Sequence, residues 1–466
     1  MRHVLCIDIG TSYLKTALVA ENGTIVEKYR EPLSVSQTAG YVSMHPEEWL
    51  PALAKSLARC NRLDIIQAVS ITGNGPSLLA VSHQNTVLSP ALSWMDRSAV
   101  EEAETITTIS GKPYDPSFYL AKALRLLKIF GAHQIWKFFS GPEYLAFLLG
   151  AEPVSYLPAP GYEPHIWNRS IHAALGLPEN LFPPYAAPGT VIGTTKGNTL
   201  HLPAHIPLIA AYPDFLAAIA GTDCIRPGYI CDRTGSSETL NVCADQEKDS
   251  NGLFKLPHLI PGLWNYSGGV SASGKAIDWF CRIVGKQYCL ESFIEDAYQA
   301  PFDPNLLFLP YLNGERAPLW NSELRGQFLG LALNHSTADL ARAVLEGIIF
   351  GLRFTYEKIS NAIGASHIVR PSGYLADIPY INQLKADILG LTIETGLIPE
   401  GELLGCAVIA LKGISLNVSL SDACNAIYTP YSVYDPNNNK KENYDAKFRH
   451  FSDALVNAIQ STKDTP

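Results

Sequence analysis

HVLCIDIGTSYLKTALVAENGTIVEKY, residues 3–29, alternates apolar runs with short polar bends. HVLCIDIG and SYLKTALVA read as strands because apolar and β-branched residues crowd them, with Gly10 at the break between. Glu21-Asn22-Gly23-Thr24 is a second turn, and IVEKY a third strand. A three-stranded meander therefore opens a domain. EEWLPALAKSLARC places Trp49, Leu50, Leu53 and Leu57 on one helical face, and IIQAVSITG then reads as a buried strand. LLAVSHQNTVLSPALSW reads as two strands joined at Gln84-Asn85. Residues 118–149 are helical in pattern, whereas 152–188, rich in Pro, Gly and aromatics, read as irregular.

HIPLIAAYPDFLAAIAG gives an apolar strand, a Pro-Asp junction and a small-residue helix. GYICDRTGSSETLNVCAD then repeats the opening pattern of strand, polar bend and strand, which points to an internal duplication. A long helix is expected over 337–359, and IPYINQLKADILG forms another that stops on Gly390. The tail from Asp435 is polar and closes with an exposed helix. These elements predict an α/β chain in two lobes, 1–224 and 225–466.

The 466 residues are 47% hydrophobic and 17% charged, a composition that supports compact cores. A formal net charge of −9 without a basic run disfavours a nucleic-acid partner. No stretch reaches membrane-spanning length, and the start lacks a secretory apolar segment. The nine cysteines are scattered without CxxC pairing, which suits reduced thiols in the cytoplasm.

Asp8-Ile9-Gly10-Thr11-Ser12-Tyr13-Leu14-Lys15 sets an acid at a strand end, a glycine-hydroxyl turn, and a lysine on the next strand. Gly10 allows backbone N–H groups to converge on an anion, Thr11 and Ser12 add donors, and Lys15 adds positive charge. Asp8 would be repelled by a phosphate, so its natural task is a magnesium ion. An ordinary hairpin accounts for the same residues. Thr234-Gly235-Ser236-Ser237 offers a second donor turn, or only a turn. Asp214 either caps the following helix or acts as a base on an alcohol. Trp94, Asp96 and Arg97 combine an apolar plate, an acceptor and a donor fork, which suits a sugar and equally suits a core tryptophan beside a surface ion pair.

From Cys6 to Ile414 the sequence resembles the FGGY carbohydrate kinases. DIGTSYLK resembles that family's first phosphate motif, SWMDRS its substrate-lobe strand end, and LGLPENLFPPYAAPGTVIG the segment before its catalytic region. FLPYLNGERAPLWNSELRGQFLGLALNHSTADLARAVLEGIIFGLRF reads almost as the family consensus. The resemblance implies two ribonuclease H-like, actin-like ATPase lobes with a cleft between them. It implies ATP and Mg2+ as cofactors, and phosphoryl transfer to a sugar or polyol hydroxyl with a pentulose-type ketose as the nearest likeness. Carried over by position, Asp214 is the catalytic base and Asp8 the metal residue. Asp8, Gly10, Thr11, Ser12, Lys15, Gly235, Ser236, Ser237, Gly373 and Gln383 serve the nucleotide, while Asn74, Trp94, Asp96 and Arg97 serve the substrate.

The sequence also departs from the family. Arg370-Pro371-Ser372-Gly373-Tyr374 replaces a glycine run lining the adenosine pocket, although Gln383, Ala386 and Asp387 fit the pattern. Asn74-Gly75-Pro76-Ser77 replaces a Gln-Met-His-Gly-like sugar contact, and VSYLPAPGYEPHIW replaces another sugar-side segment. Both changes predict a preference shifted away from D-xylulose. A catalytically silent sugar-binding relative and a kinase for a non-pentulose polyol are the alternatives. Intact Asp8, Lys15 and Asp214 speak against silence, and the NGERAPLW to FGLRF stretch speaks against an actin-like or chaperone-like ATPase. The expected partner is a small sugar or polyol, with no nucleic acid and no membrane, and a homodimer is compatible with the sequence.

Overall fold

A computed structural model describes residues 1–38, 41–197, 200–285, 287–415 and 418–463. The chain divides into one unit of Met1–Asp223 with Gly401–Tyr428, and a second of Cys224–Glu400 with Thr429–Pro466.

In the first unit β1 (His3–Ile9), β2 (Tyr13–Ala20) and β3 (Ile25–Pro32) form the antiparallel meander. β4 (Ala68–Gly73) lies parallel to β1, with Asp8 opposite Thr72. After β5 (Val191–Thr194), β6 (Pro207–Ile209) runs parallel to β4, and the order is β5-β6-β4-β1-β2-β3. Helix α1 (Pro46–Arg59) begins on proline, whose missing N–H costs nothing in the first turn. It is followed by α2 (Tyr119–Phe130), α3 (Gly141–Leu149) and α4 (Asp214–Gly221).

The second unit repeats this order. β7 (Tyr229–Thr234), β8 (Glu238–Ala244), β9 (Phe254–Pro257) and β10 (Trp264–Val270) are antiparallel, and β11 (Ile368–Gly373) is parallel to β7. β12 (Thr392–Gly396) is parallel to β11, and β13 (Pro430–Tyr434) closes the edge antiparallel. Each unit thus joins an antiparallel meander to two parallel strands and an antiparallel edge, the ribonuclease H-like arrangement. α5 (Gly274–Val284), α6 (Thr337–Ile363), α7 (Pro379–Leu389) and α8 (Asn438–Lys463) complete the second unit. A Ser336–Asp339 capping box starts α6, and left-handed Gly390 ends α7.

Three expectations need correction. The second lobe is not the continuous stretch 225–466, because the helix Gly401–Ile414 belongs to the first unit. Its residues from Gly401 to Leu411 are all buried, and it meets α4 backbone to backbone. A Cβ on Gly405 would lie 1.9 Å from Ala217 O, and one on Gly221 would lie 2.0 Å from Gly401 O. Residues 118–149 are not helical throughout: the aromatic run Ile135–Phe139 is a strand paired with Leu79–Ser82. The closing helix is not merely exposed, since α8 buries Tyr444, Phe448, Phe451 and Leu455 in the second core and joins Lys447 to Glu346 at 2.6 Å.

The glycine contact yields a stability prediction. Gly405→Ala must push apart two helix backbones, and overpacking of this kind costs about 1–3 kcal/mol. Chemical denaturation should show an earlier midpoint and an unfolding free energy lower by that amount. An unchanged midpoint would mean the two helices do not touch through Gly405.

Candidate functional site

The carboxyl ends of β1, β4 and β6 bring three sequence-distant segments to one side of the first sheet. Asp8 is the penultimate residue of β1, Asn74 follows β4 and donates its N–H to Ile9 O at 2.9 Å, and Asp214 opens α4 beyond β6. Thr72 Oγ1 donates to Tyr212 O at 2.6 Å, which carries the alignment past the end of β6. Ligands of parallel sheets gather beyond such ends.

Asp8 is 2% exposed and accepts from Lys15 Nζ at 3.1 Å, its cross-strand partner. Gly10 N–H donates to Tyr13 O at 2.9 Å and makes the bend tight. A Cβ there would sit 2.9 Å from that same oxygen. Among the described residues, the Thr11 and Ser12 amides donate to nothing in the chain, which leaves two N–H groups for an anion. Asp214 is 4% exposed, and its Oδ1 accepts from Phe215 N–H at 2.7 Å. Pro213 is the residue before the helix, so Asp214 is the first helical residue rather than its N-cap.

The residues expected to contact a sugar divide. Trp94 Nε1 donates to Thr11 Oγ1 at 3.1 Å and ties the 94–97 loop to the first turn. Asp96 is fully buried and accepts from Val42 N–H at 2.7 Å, Ser98 N–H at 3.1 Å and Ser98 Oγ at 2.6 Å. Its carboxylate shapes the turn that presents Trp94 and the half-buried Arg97. Asn74 is also turned inward, with its amide oxygen taking the Ser77 hydroxyl and its nitrogen 3.5 Å from Met44 Sδ. Lys122, buried on α2, was not foreseen. Its ammonium donates to Pro76 O at 2.6 Å and Ser93 O at 2.7 Å, so one cation holds both loops.

In the second unit the turn 235–237 leaves the Ser236 and Ser237 amides without an acceptor among the described residues. The start of α5 braces the turn: Gly274 N–H donates to Gly235 O at 3.1 Å and Lys275 N–H to Ser236 O at 3.2 Å. Glu315 of the NGERAPLW stretch accepts from Ser271 N–H at 3.0 Å, which anchors the approach to that helix. Gly373 pairs in register with Thr234 at φ 109°, where a Cβ would strike Thr234 O at 1.9 Å. Gln383 donates to Asp387 Oδ1 at 2.8 Å and Asp435 O at 3.0 Å. One donor stays within α7 and the other holds the segment that leads into α8, which leaves only its acceptor oxygen for a nucleotide. Beneath the turn, unforeseen, Lys385 contacts both Asp232 and Glu238, all three at most 1% exposed.

The C-terminal domain model of the FGGY family of carbohydrate kinases matches residues 233–414, and its N-terminal domain model matches residues 3–125. A xylulose kinase of Staphylococcus epidermidis is 26% identical, with 99% of this chain and 98% of that protein covered. Among solved structures, ligand-bound xylulose kinase from Lactobacillus acidophilus superposes with a TM-score of 0.85 at 24% identity, covering 99% of each chain. Gluconate kinase from the same organism gives 0.83 at 23% identity, covering 98% of each.

The buried triad has a measurable titration. Burial raises the Asp232 pKa most, Lys385 opposes it, Glu238 adds to it, and the result is about 7. Such an acid holds its proton more tightly folded than unfolded. Its stabilising contribution is complete below its ordinary value near 4 and is lost as pH rises towards about 7. Asp232→Asn should flatten the fall in melting temperature over that window. An unaltered slope would place the proton elsewhere.

Proposed function

The chain belongs to the FGGY family of carbohydrate kinases, and we propose that it transfers the γ-phosphoryl group of ATP to a hydroxyl of a pentulose-type ketose or related polyol in the cytoplasm. The observation that carries this reading is the meeting of Asp8, Asn74 and Asp214 beyond the ends of three aligned strands. Asp214 accepts the proton of the attacking hydroxyl. Its Phe215 hydrogen bond fixes the carboxylate plane in advance, so little ordering is left for the reaction step. Trp94 supplies an apolar plate for the acceptor, and its bond to Thr11 couples that plate to the phosphate turn.

Within the first unit, the Thr11 and Ser12 amides and Lys15 are assigned to phosphate oxygens. Within the second, the Ser236 and Ser237 amides and Gly373 are assigned to the nucleotide. Phosphoryl transfer needs such donors, because charge spreads over the oxygens of the moving group. Among the described residues no cluster of three metal-ligating side chains occurs. That donor set fits Mg2+, which is commonly held by one or two carboxylates with phosphate and water oxygens. Asp8 is the carboxylate so placed, and the ion would neutralise phosphate charge when bound. The relatives named as xylulose and gluconate kinases support a polyhydroxy acceptor. No helix among the described residues is long and apolar enough to cross a membrane.

ADP release from Mg-ATP with D-xylulose, D-ribulose, gluconate and glycerol tests the activity; release with none of them would count against it. Asp214→Asn should lower turnover on the accepted substrate by about 10² to 10⁴. Mg-ATP affinity should stay near that of the wild type, since the base acts on the alcohol. A variant that keeps most of its turnover would leave Asp214 a structural residue of α4.

A further inference from the structure

We propose that Tyr119 is a specificity-determining residue whose phenol hydroxyl hydrogen-bonds a second hydroxyl of the acceptor, beside the one activated by Asp214. The inference deepens the kinase reading and rests on it for the chemical class of the ligand. It starts from a glycine. A Cβ on Gly75 would lie 3.0 Å from the Tyr119 hydroxyl oxygen, so the absent side chain at 75 is what leaves room for the phenol. Tyr119 is the first residue of α2, and its ring packs on Trp167 at a centroid distance of 5.6 Å. One turn further along the same helix, Lys122 grips Pro76 O and Ser93 O. Helix α2 therefore fixes the phenol and the loop 74–77 as one assembly.

The Tyr119 hydroxyl makes no hydrogen bond among the described residues. Burial, with the charges of Glu143 and Asp214, holds its pKa well above the ordinary phenol value, so it remains a donor at neutral pH. Glu143 is not its partner: that carboxylate accepts from Ser140 N–H at 2.8 Å and Tyr156 N–H at 2.7 Å. Tyr119 is half-buried, so its hydroxyl is open to water or to a ligand. The nearby loop offers few alternatives, because Asn74 and Ser77 are bonded to each other. The phenol both donates and accepts, as a sugar hydroxyl does. With Gly75 and Pro76 beside it, it provides a directional contact where the loop backbone carries no polar side chain. The ligand class that fits is a ketose or polyol carrying a hydroxyl on that side.

Tyr119→Phe keeps the ring on Trp167 and removes only the hydroxyl. The full-length protein would be assayed with Mg-ATP on D-xylulose, D-ribulose and the 1-deoxy, 3-deoxy and 4-deoxy analogues of each. We expect kcat/KM on an accepted parent ketose to fall by about 10- to 100-fold, with the KM for ATP unchanged. One deoxy analogue, lacking the partner hydroxyl, should be used equally by both proteins. Equal loss on every acceptor, or no loss on any, overturns the assignment. If the wild type phosphorylated none of these compounds, the kinase reading would fail separately. Calorimetric titration with the same ketoses would then decide: weaker binding by Tyr119→Phe supports the contact, and equal or absent binding overturns it.

Discussion

Parallel pairing of β1 with β4, and of β4 with β6, decides which side chains can meet in the first unit. Asp8 lies opposite Thr72 and Ser70 opposite Ile209, so the three strands finish at neighbouring levels. Residues 8, 74 and 214 become neighbours through that register. A slip by one position would turn the side chains of a strand to the other face and dissolve the group. The same alignment delivers α4, whose backbone is pressed against the helix Gly401–Ile414 through Gly221 and Gly405. Sheet register sets the level of Asp214, and the glycine contact sets the position of the helix that carries it.

What could be read from the sequence follows the range of the interactions involved. The hairpins at 10–12 and 235–237 are local, and their strand and turn residues sufficed to place them. GELLGCAVIALKGI is apolar on nearly every side, which says that the helix is buried without saying against which sheet. Ile135–Phe139 lies between two helices whose periodicity obscured it, although Gly131 and the aromatic run were available as signals. In α8 the spacing of Tyr444, Phe448, Phe451 and Leu455 marks an apolar stripe within a polar composition, and composition was the poorer guide.

The site was legible to the same extent. Residues fixed by their own turn, such as Gly10, Thr11 and Gly235, stand where the pattern put them. Asp96 has two readings in the sequence because the acceptors in a Trp-x-Asp-Arg string serve a loop as readily as a sugar, and the bonds to Val42 and Ser98 add the loop role. Lys122 and the triad of Asp232, Glu238 and Lys385 escaped notice because each joins segments distant in sequence. Acids on either side of the turn 235–237 were the available sign of the triad. Their shared lysine lies 153 residues beyond Asp232.

In the two loops assigned to the acceptor, several polar groups already answer one another. Asn74 is held by Ser77, Asp96 by Val42 and Ser98, and the two loops by Lys122. Such closure makes the loops rigid, and rigid walls lower the ordering cost of binding. It also leaves few partners for the several hydroxyls of a ketose. A hydroxyl buried without a partner is costly, so an acceptor must keep its surplus hydroxyls in water or lack them on this face. The placement of one phenol beside Gly75 therefore weighs more for selectivity than the number of polar residues in the loop sequence.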